Sequence, residues 1–204
     1  MNQMKKSIMI IVSLVIGAGI FVVAVQGGGY EGTDEFNEIG QKKSEAVEYF
    51  LQGDAEGQEP VAIVEGEEIS KAYFALKVTS YRGSKLELDD PKQAAWDSIV
   101  TEVCERQYAA ENGLEYTEQE MDAHMAYLKD AYDSTDESRA LIESYASGLG
   151  MTVAEYWDYK EKYEAPMELT HYKVSEYIEV NGLEPIDICK AKVEIVEQEF
   201  FSGL

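Results

Sequence analysis

The sequence predicts a mainly α-helical protein: an N-terminal transmembrane helix followed by a multi-helix domain with a minor β element. Three observations lead to this fold class. An uncharged apolar run follows two lysines near the N-terminus. Farther along, two capping boxes and an Asp-Pro pair are typical of helix starts. Apolar residues after these starts recur at spacings of three and four, the period of a helix with one buried face.

The apolar run begins at Ile8 and ends at Val25, directly after Lys5 and Lys6, and its one hydroxyl belongs to Ser13. As a helix it would be roughly 27 Å long, close to the thickness of a bilayer core. The lysines predict a cytoplasmic start and an extracytoplasmic remainder. A single-pass cell-membrane anchor is favoured over a cleaved signal, whose apolar part is normally about 7–15 residues long. If the segment were cleaved, the protein would be secreted. A buried core helix is the third alternative, but the run has no polar stripe to support it.

We divide the chain into four parts. Residues 1–29 are the anchor or signal segment, and residues 30–60 form an acidic linker with a possible short helix over 39–51. Residues 61–182 make the helical domain. Residues 183–204 form a C-terminal segment that packs on this domain.

The net charge restricts the partners. The chain has 17 Lys and Arg against 40 Asp and Glu, a formal net charge of -23. Nucleic acid is not expected as a partner, because its phosphates must be neutralised by Lys and Arg. A content of 45% hydrophobic residues is too high for a disordered acidic tail, so most of the chain should fold.

The first half of the helical domain opens on a β element. Residues 61–64 predict a short strand, and residues 65–66 predict a tight turn. Ser70 predicts the N-cap of a helix that Gly83 ends. The Asp-Pro pair at residues 90–91 predicts the start of the next helix, with a capping carboxylate before a proline at the first helical position.

The second half is predicted as helices separated by short links. Capping boxes at residues 117–120 and 152–155 predict two helix starts. Another helix is expected over 137–149. Pro166 should kink or break the long helix that begins at the second box. Residues 185–204 alternate in part and could form a strand or a helix.

The sequence shows no motif for catalysis, metal or nucleotide. Neither a phosphate loop, a nucleophile elbow nor a zinc-binding helix motif is present. His124 and His171 are interpreted as partly exposed helical residues. Asp130, Asp133 and Asp136 lack the spacing of a calcium loop. The sequence therefore predicts no cofactor and no enzymatic activity.

The chain has two cysteines, Cys104 and Cys189. They could form a disulfide outside the cell. Two unpaired cysteines are favoured, because Cys104 falls on an apolar helix stripe, where a buried free cysteine is common.

Methionine and aromatic side chains provide the candidate binding residues. Methionine surfaces adapt to varied partners, and Tyr and Trp supply rigid amphipathic contact area. We expect most of these side chains in the core and the rest along a groove for apolar peptide segments. The peptide-binding candidates are Met121, Met125, Leu128, Tyr132, Tyr156 and Trp157.

Four stretches together resemble the N-terminal helical domain of SurA/PrsA-type extracytoplasmic chaperones, which is similar to the substrate-binding part of trigger factor. VAIVEGEEIS at residues 61–70 resembles the opening strand, turn and helix cap of that domain. The second helix of the family is matched by residues 90–100. Its glycine-broken link and third helix are matched by residues 111–122, and the start of its long helix by residues 149–156.

The resemblance implies binding of unfolded or newly exported polypeptides without ATP, with dimerisation in several members. Many members also carry a parvulin-type prolyl isomerase domain, but only about 22 residues follow Gly182, too few for a further domain. We therefore expect a membrane-anchored extracytoplasmic ATP-independent chaperone, with a homodimer possible. The alternative is a non-catalytic structural or adaptor protein that holds one dedicated extracytoplasmic partner. A chaperone needs a groove with exposed apolar residues, whereas an adaptor needs one patch for a fixed partner.

Overall fold

The computed structural model describes residues 11–16, 19–24, 32–56, 60–83, 88–184 and 193–196. Most of these residues are helical, and helices and strands are numbered separately along the chain. The strands are β1 (Ile11–Ile16), β2 (Gly19–Ala24), β3 (Pro60–Val64), β4 (Glu67–Ser70) and β5 (Val193–Ile195). The helices are α1 (Gly32–Glu56), α2 (Lys71–Gly83), α3 (Pro91–Asn112), α4 (Glu118–Asp133), α5 (Asp136–Gly148), α6 (Val153–Tyr159), a π-helix (Lys160–Glu164) and α7 (Ala165–Asn181).

The helix starts predicted from capping residues are confirmed. The Asp90 carboxylate accepts hydrogen bonds of 3.0 Å from two backbone N–H groups in the first turn of α3. Both capping boxes have their reciprocal bonds, between Thr117 and Glu120 at the start of α4 and between Thr152 and Glu155 at the start of α6. Each box satisfies backbone donors that the first helical turn would otherwise leave unpaired.

The predicted transmembrane helix from Ile8 to Val25 is wrong. The described residues of this run form the antiparallel pair β1 and β2, with Ile11 opposite Ala24 and Ile16 opposite Gly19. In the part of the chain that the structure describes, no helix combines the length and the apolar character needed to cross a membrane. The predicted fold class needs this correction, and so do the membrane contact through the run and the single-pass localisation that depended on it.

The composition of the run explains the difference. Isoleucine and valine make up four of the six residues of β1 and three of the six residues of β2, and β-branched side chains fit a pleated strand better than a helix. Gly17 and Gly19 lie in the middle of the run and weaken a continuous helix at that point.

Helix α1 (Gly32–Glu56) takes the place of most of the predicted acidic linker and extends the possible short helix over 39–51 in both directions. It packs against α2 and α5 and buries Phe36 and Val47. The crossing of α1 and α5 is close, because Gly40 faces Gly148. A Cβ atom on Gly40 would lie 2.5 Å from the Tyr145 carbonyl oxygen and 2.9 Å from the Gly148 Cα atom. Glycine is therefore required where the two helices touch.

A three-stranded antiparallel sheet, in the order β4-β3-β5, covers one end of α2 and α3. Glu65 and Gly66 connect β3 to β4 with positive φ angles of 50° and 87°, as two-residue hairpin turns require. The sequence pattern predicts β3 and the turn but not β4. Glu67 and Glu68 open β4, and acidic residues are uncommon in strands.

Three apolar cores result among the described residues, the smallest of them between α3 and α7. The first core lies between α1, α5 and α6, and the second lies between the sheet, α2 and α3. The helical stretch from α6 through the π-helix to α7 follows without interruption. Pro166 is the second residue of α7, where a residue without a backbone N–H is tolerated, so the helical stretch is not broken there and only the helix type changes, from π to α. The largest buried side chains include Phe74, Ile69, Ile99, Val47, Val61, Val64, Val103 and Val174.

Candidate functional site

A small cleft lies where α1, α2, the end of α6, the π-helix and α7 meet. Its buried floor consists of Lys43, Leu76, Ser80 and Tyr159, with Lys77 and Glu164 beside them. Its half-buried rim consists of Phe50, Tyr73, Tyr163 and Met167. We call these ten residues the junction cleft. The free space inside is about 30 Å³, room for about two water molecules.

The rim of the junction cleft is aromatic. The Phe50 ring meets the Tyr163 ring edge-on at a centroid distance of 5.1 Å and lies 5.8 Å from the Tyr73 ring. On the opposite side, the Tyr73 hydroxyl lies 3.1 Å from the Met167 sulfur. Such ring and sulfur contacts add specific attraction to the burial of apolar area. The rim therefore offers apolar contact surface that is partly open to solvent.

The Glu102 carboxylate on α3 fixes one wall of the cleft. It pairs with the buried Lys77 ammonium and accepts hydrogen bonds from the Tyr73 hydroxyl and, at 3.0 Å, from the Ser98 hydroxyl. Burial raises the pKa of Tyr73, and the adjacent Glu102 charge raises it further. Tyr73 therefore stays protonated and keeps donating to Glu102, which holds its ring in place at the rim.

A second buried group of charged side chains, after the one around Glu102, surrounds Lys160 at the start of the π-helix. We call each of these two groups a polar node. The Lys160 ammonium pairs with Glu164 at 3.1 Å and with Glu168. Burial opposes the charge on Lys160, but the attraction of both carboxylates raises its pKa. Burial also disfavours ionised Glu168, yet its hydrogen bonds to His124 and Lys160 lower its pKa. The node joins α4, the π-helix and α7.

Lys43 of α1 is a lysine with 2% of its surface exposed. Its ammonium donates a 3.0 Å hydrogen bond to the Tyr145 hydroxyl and lies 5.7 Å from the centre of the Tyr145 ring. Burial lowers the pKa of Lys43, although the charge of nearby Glu164 acts in the opposite direction. The methylene groups of this side chain contribute to the apolar floor of the cleft.

The charges at and below the cleft cancel. Three buried lysines, Lys43, Lys77 and Lys160, are accompanied by three carboxylates, Glu102, Glu164 and Glu168. A charged ligand would have to lose its hydration without finding an uncompensated opposite charge, which is unfavourable in a buried site. The cleft is therefore suited to a neutral, apolar group.

The six peptide-binding candidates lie outside the junction cleft. Tyr156 and Met125 are 2% and 4% exposed, and the other four side chains are half-buried. The structure brings three of them together: the Trp157 ring lies 5.8 Å from Tyr132 and 5.3 Å from Tyr156. Tyr156 belongs to the first core, and Tyr132 and Trp157 pack against it. Met121, Met125 and Leu128 follow each other along α4. Peptide binding by these six residues stays a prediction.

Both histidines take part in contacts between helices. His124 on α4 contacts Glu168 at 3.1 Å, and His171 on α7 contacts Glu105 on α3 at 2.8 Å. The hydrogen bond to Glu105 raises the pKa of His171. Within the described ranges, no group of His, Cys, Asp and Glu side chains could hold a metal ion.

Cys104, buried on α3, is disulfide-bonded. The preference for two unpaired cysteines is therefore wrong, and the alternative of a disulfide is the one observed. The other cysteine of the chain, Cys189, lies outside the described residues. A position on an apolar helix stripe does not distinguish a buried thiol from a buried disulfide, since both are apolar.

Comparison of the chain with protein-family models, with curated proteins and with solved structures finds no match in any of the three. The resemblance to SurA/PrsA-type chaperones consequently stays a prediction.

The buried lysines of the cleft were not among the candidates from the sequence, although a signal existed for one of them. Lys43 continues the apolar stripe of α1 formed by Phe36, Gly40, Val47 and Phe50, at helical spacing. A lysine in the middle of such a stripe predicts a buried charge that needs a partner. Lys160 has Glu164 four residues later in the same helix, so this pair could also be predicted from spacing. The Lys77 partner Glu102 lies on another helix, so that pairing emerges only from the packing.

Proposed function

We propose that the protein binds unfolded polypeptide segments without ATP, as a chaperone does, and that the junction cleft receives an apolar side chain of the bound segment. This proposal keeps the polypeptide-binding part of the hypothesis drawn from the sequence and leaves out the membrane anchor. The observation that supports it is the partly open aromatic rim above a charge-balanced floor.

The rim provides the affinity in this proposal. Phe50, Tyr163 and Met167 present apolar surface from three different elements, so one incoming side chain can contact all three. Burial of apolar area contributes about 25 cal/mol per Å², without requiring a particular sequence. A binding site of this kind accepts many unfolded chains, which expose leucine, valine and aromatic side chains.

The cleft must widen before a side chain can enter, because its free space is only about 30 Å³. The half-buried rim provides a route. Rotation of Met167 or of the Phe50 ring opens the cleft without moving the floor, where Lys43 and Lys77 are held by their hydrogen bonds and ion pair. Methionine is well suited to this motion, since it has three rotatable bonds and a polarisable thioether.

The proposal is tested by light scattering of guanidinium-denatured citrate synthase diluted into buffer with and without the protein. We expect the wild-type protein to suppress aggregation at both low and high salt, because apolar contact is insensitive to screening. Addition of Mg-ATP should change nothing. The variants Phe50→Ala and Tyr163→Ala should lose most of the suppression.

Tyr127→Ala is the matched control, since Tyr127 is 62% exposed on α4 and lies outside the cleft. It should suppress aggregation as the wild type does. Circular dichroism verifies that each variant is folded. Equal activity of Phe50→Ala, Tyr163→Ala and the wild type would contradict the proposal, as would a wild-type protein without any effect on aggregation.

A variant that fills the cleft separates binding from stability. Ser80 lies on the floor, 4% exposed, and its hydroxyl bonds to the Leu76 carbonyl oxygen in the same helix. We expect Ser80→Val to occupy the free space with methyl groups, to keep the fold, and to weaken suppression of aggregation. A folded Ser80→Val protein with full activity would place the binding surface elsewhere.

A further inference from the structure

Two helices of the molecule end in the same way. The pattern Tyr-x-x-x-Asn-Gly-Leu-Glu occurs at residues 108–115, at the end of α3, and again at 177–184, at the end of α7. In each copy the asparagine side chain donates a 2.8 Å hydrogen bond to the tyrosine carbonyl four residues earlier. The glycine then takes a left-handed conformation, with φ of 67° or 63°, and closes the helix.

The two helix ends lie side by side. Helices α3 and α7 pack in parallel, with the Tyr108 and Tyr177 rings 6.1 Å apart and Ala109, Val174 and Ile178 buried between them. Both helix C-termini consequently lie at the same end of the molecule. Each contributes a partial negative charge of about half an elementary charge.

The exposed face of the C-terminal half of α7 is apolar and acidic. Of the six large hydrophobic side chains that are exposed among the described residues, Tyr172 (64%) and Val180 (78%) lie on this helix, and Leu183 (39%) follows its Gly182 cap. Glu176 and Glu179 fall between them on the same side of the helix. Neither α3 nor α7 has a basic residue in its last turn, where a cation would be favourable. The nearby Lys173 is already bound to Glu120.

We infer that this α7 face, defined by Tyr172, Glu176, Glu179, Val180 and Leu183, docks a basic amphipathic helix of a partner protein. Leucine-like side chains of the partner would cover the exposed apolar residues, and its lysines or arginines would pair with the glutamates and the helix ends. A second copy of this chain is a poor occupant, because two molecules of charge -23 repel each other. This surface is separate from the junction cleft, and it would suit an adaptor that holds one dedicated partner.

The probe is a fluorescein-labelled synthetic peptide, LKKLLKLLKKLLKL, which forms a helix with one apolar and one cationic face. A scrambled peptide of the same composition without an apolar face serves as its control. By fluorescence anisotropy we expect the first peptide to bind the full-length protein at least about tenfold more tightly than the second. Equal binding of the two peptides, or no binding of either, would overturn the inference.

Charge variants test the location. Glu176→Lys/Glu179→Lys should weaken binding of the probe by about tenfold or more, and Val180→Ser should weaken it as well. The control Glu38→Lys/Glu45→Lys changes the net charge equally at exposed positions of α1 and should leave binding near the wild-type value. A loss of the same size in this control would mean that overall charge, and not the α7 face, binds the peptide.

Two further measurements complete the test. Phe50→Ala should bind the probe as the wild type does, so the docking surface and the junction cleft can fail independently. Thermal denaturation of Glu176→Lys/Glu179→Lys should show an unchanged or slightly raised midpoint, because lysine suits the end of a helix better than glutamate does. Sedimentation tests for a second copy of the chain. If the wild type dimerises and this double variant does not, a second copy occupies the α7 face and the inference is overturned.

Discussion

Lys160 illustrates how a buried charge depends on its partners. Its ammonium lies between Glu164 and Glu168, and 4% of the residue is exposed. Removal of one member of such a group leaves the others buried without compensation, which costs far more than the net gain from forming the group. The polar nodes below the junction cleft are therefore sensitive points of the fold.

We predict that Lys160→Met lowers the free energy of unfolding by about 3–5 kcal/mol, because Glu164 and Glu168 lose their shared cation. Chemical denaturation measures the change. Lys129→Met, at an exposed position on α4, is the control and should change stability by less than about 0.5 kcal/mol. If both substitutions have the same small effect, the three side chains do not form a buried ion network.

His171 gives a pH-dependent contribution of known sign. Its hydrogen bond to Glu105 raises its pKa in the folded protein above the ordinary value of 6.5. The stabilisation is therefore fully present below the unfolded-state pKa and is lost as pH rises through the higher folded-state pKa. We predict that His171→Gln destabilises the protein more at pH 5.5 than at pH 8.5.

NMR titration of the His171 imidazole checks the cause. We expect a pKa above 6.5 in the wild type and a lower value in Glu105→Gln, which keeps the shape of the side chain but loses the charge. The effect on stability should be modest, because the His171 side chain is 49% exposed and solvent screens the pair. If the pKa of His171 were the same in Glu105→Gln as in the wild type, the Glu105 hydrogen bond would not be the cause of the raised pKa.

Among the secondary-structure elements, α1 and α5 depend on glycine at their crossing. Cβ atoms at Gly40 would overlap the backbone of α5, so the two helices could not keep their separation. We predict that Gly40→Ala lowers the free energy of unfolding by about 1–3 kcal/mol, although alanine is the better helix former. Gly83→Ala is the matched control, since nothing lies within 4 Å of a Cβ atom at that position. A stabilised Gly40→Ala protein would contradict the close crossing.

Local signals predicted the helix boundaries well and the N-terminal run poorly. A capping carboxylate or hydroxyl acts within its own first turn, so Asp90, Thr117 and Thr152 are readable from the sequence alone. The apolar run before residue 26 has no such signal. Length and hydropathy indicate a helix there, but β-branched residues and central glycines favour the pair β1 and β2 that the structure contains.

The candidate site was less predictable than the fold, for a physical reason. The cleft is formed by residues from α1, α2, the π-helical region and α7, and its polar partners are far apart in sequence. Lys77 and Glu102 belong to different helices, and the Lys43 bond to Tyr145 joins α1 to α5. Spacing rules identify neighbours on one helix, and these contacts require the tertiary packing. The shared sequence at the ends of α3 and α7 likewise predicts two similar helix ends, but only the packing shows that these ends lie side by side.

At the scale of the whole molecule, the described residues form three apolar cores and include a disulfide-bonded cysteine, Cys104. We predict that reduction of this bond lowers the free energy of unfolding by about 2–5 kcal/mol, because the unfolded chain regains the entropy that the cross-link removes. The variant Cys104→Ser/Cys189→Ser should be insensitive to reductant. A titratable free thiol in the oxidised protein would contradict the bond.

The methionine methyl groups report directly on whether unfolded segments bind at the junction cleft. Met167 lies on the rim, whereas Met121 and Met125 lie on α4, among the peptide-binding candidates from the sequence. The protein, labelled with ¹³C at its methionine methyl groups, is titrated with reduced, carboxymethylated α-lactalbumin, which stays unfolded, at 0.5 M NaCl to screen charge. We predict that the Met167 signal shifts and broadens while those of Met121 and Met125 stay in place. A titration that moves the α4 methionines and leaves Met167 unchanged, or that moves none of them, would contradict it.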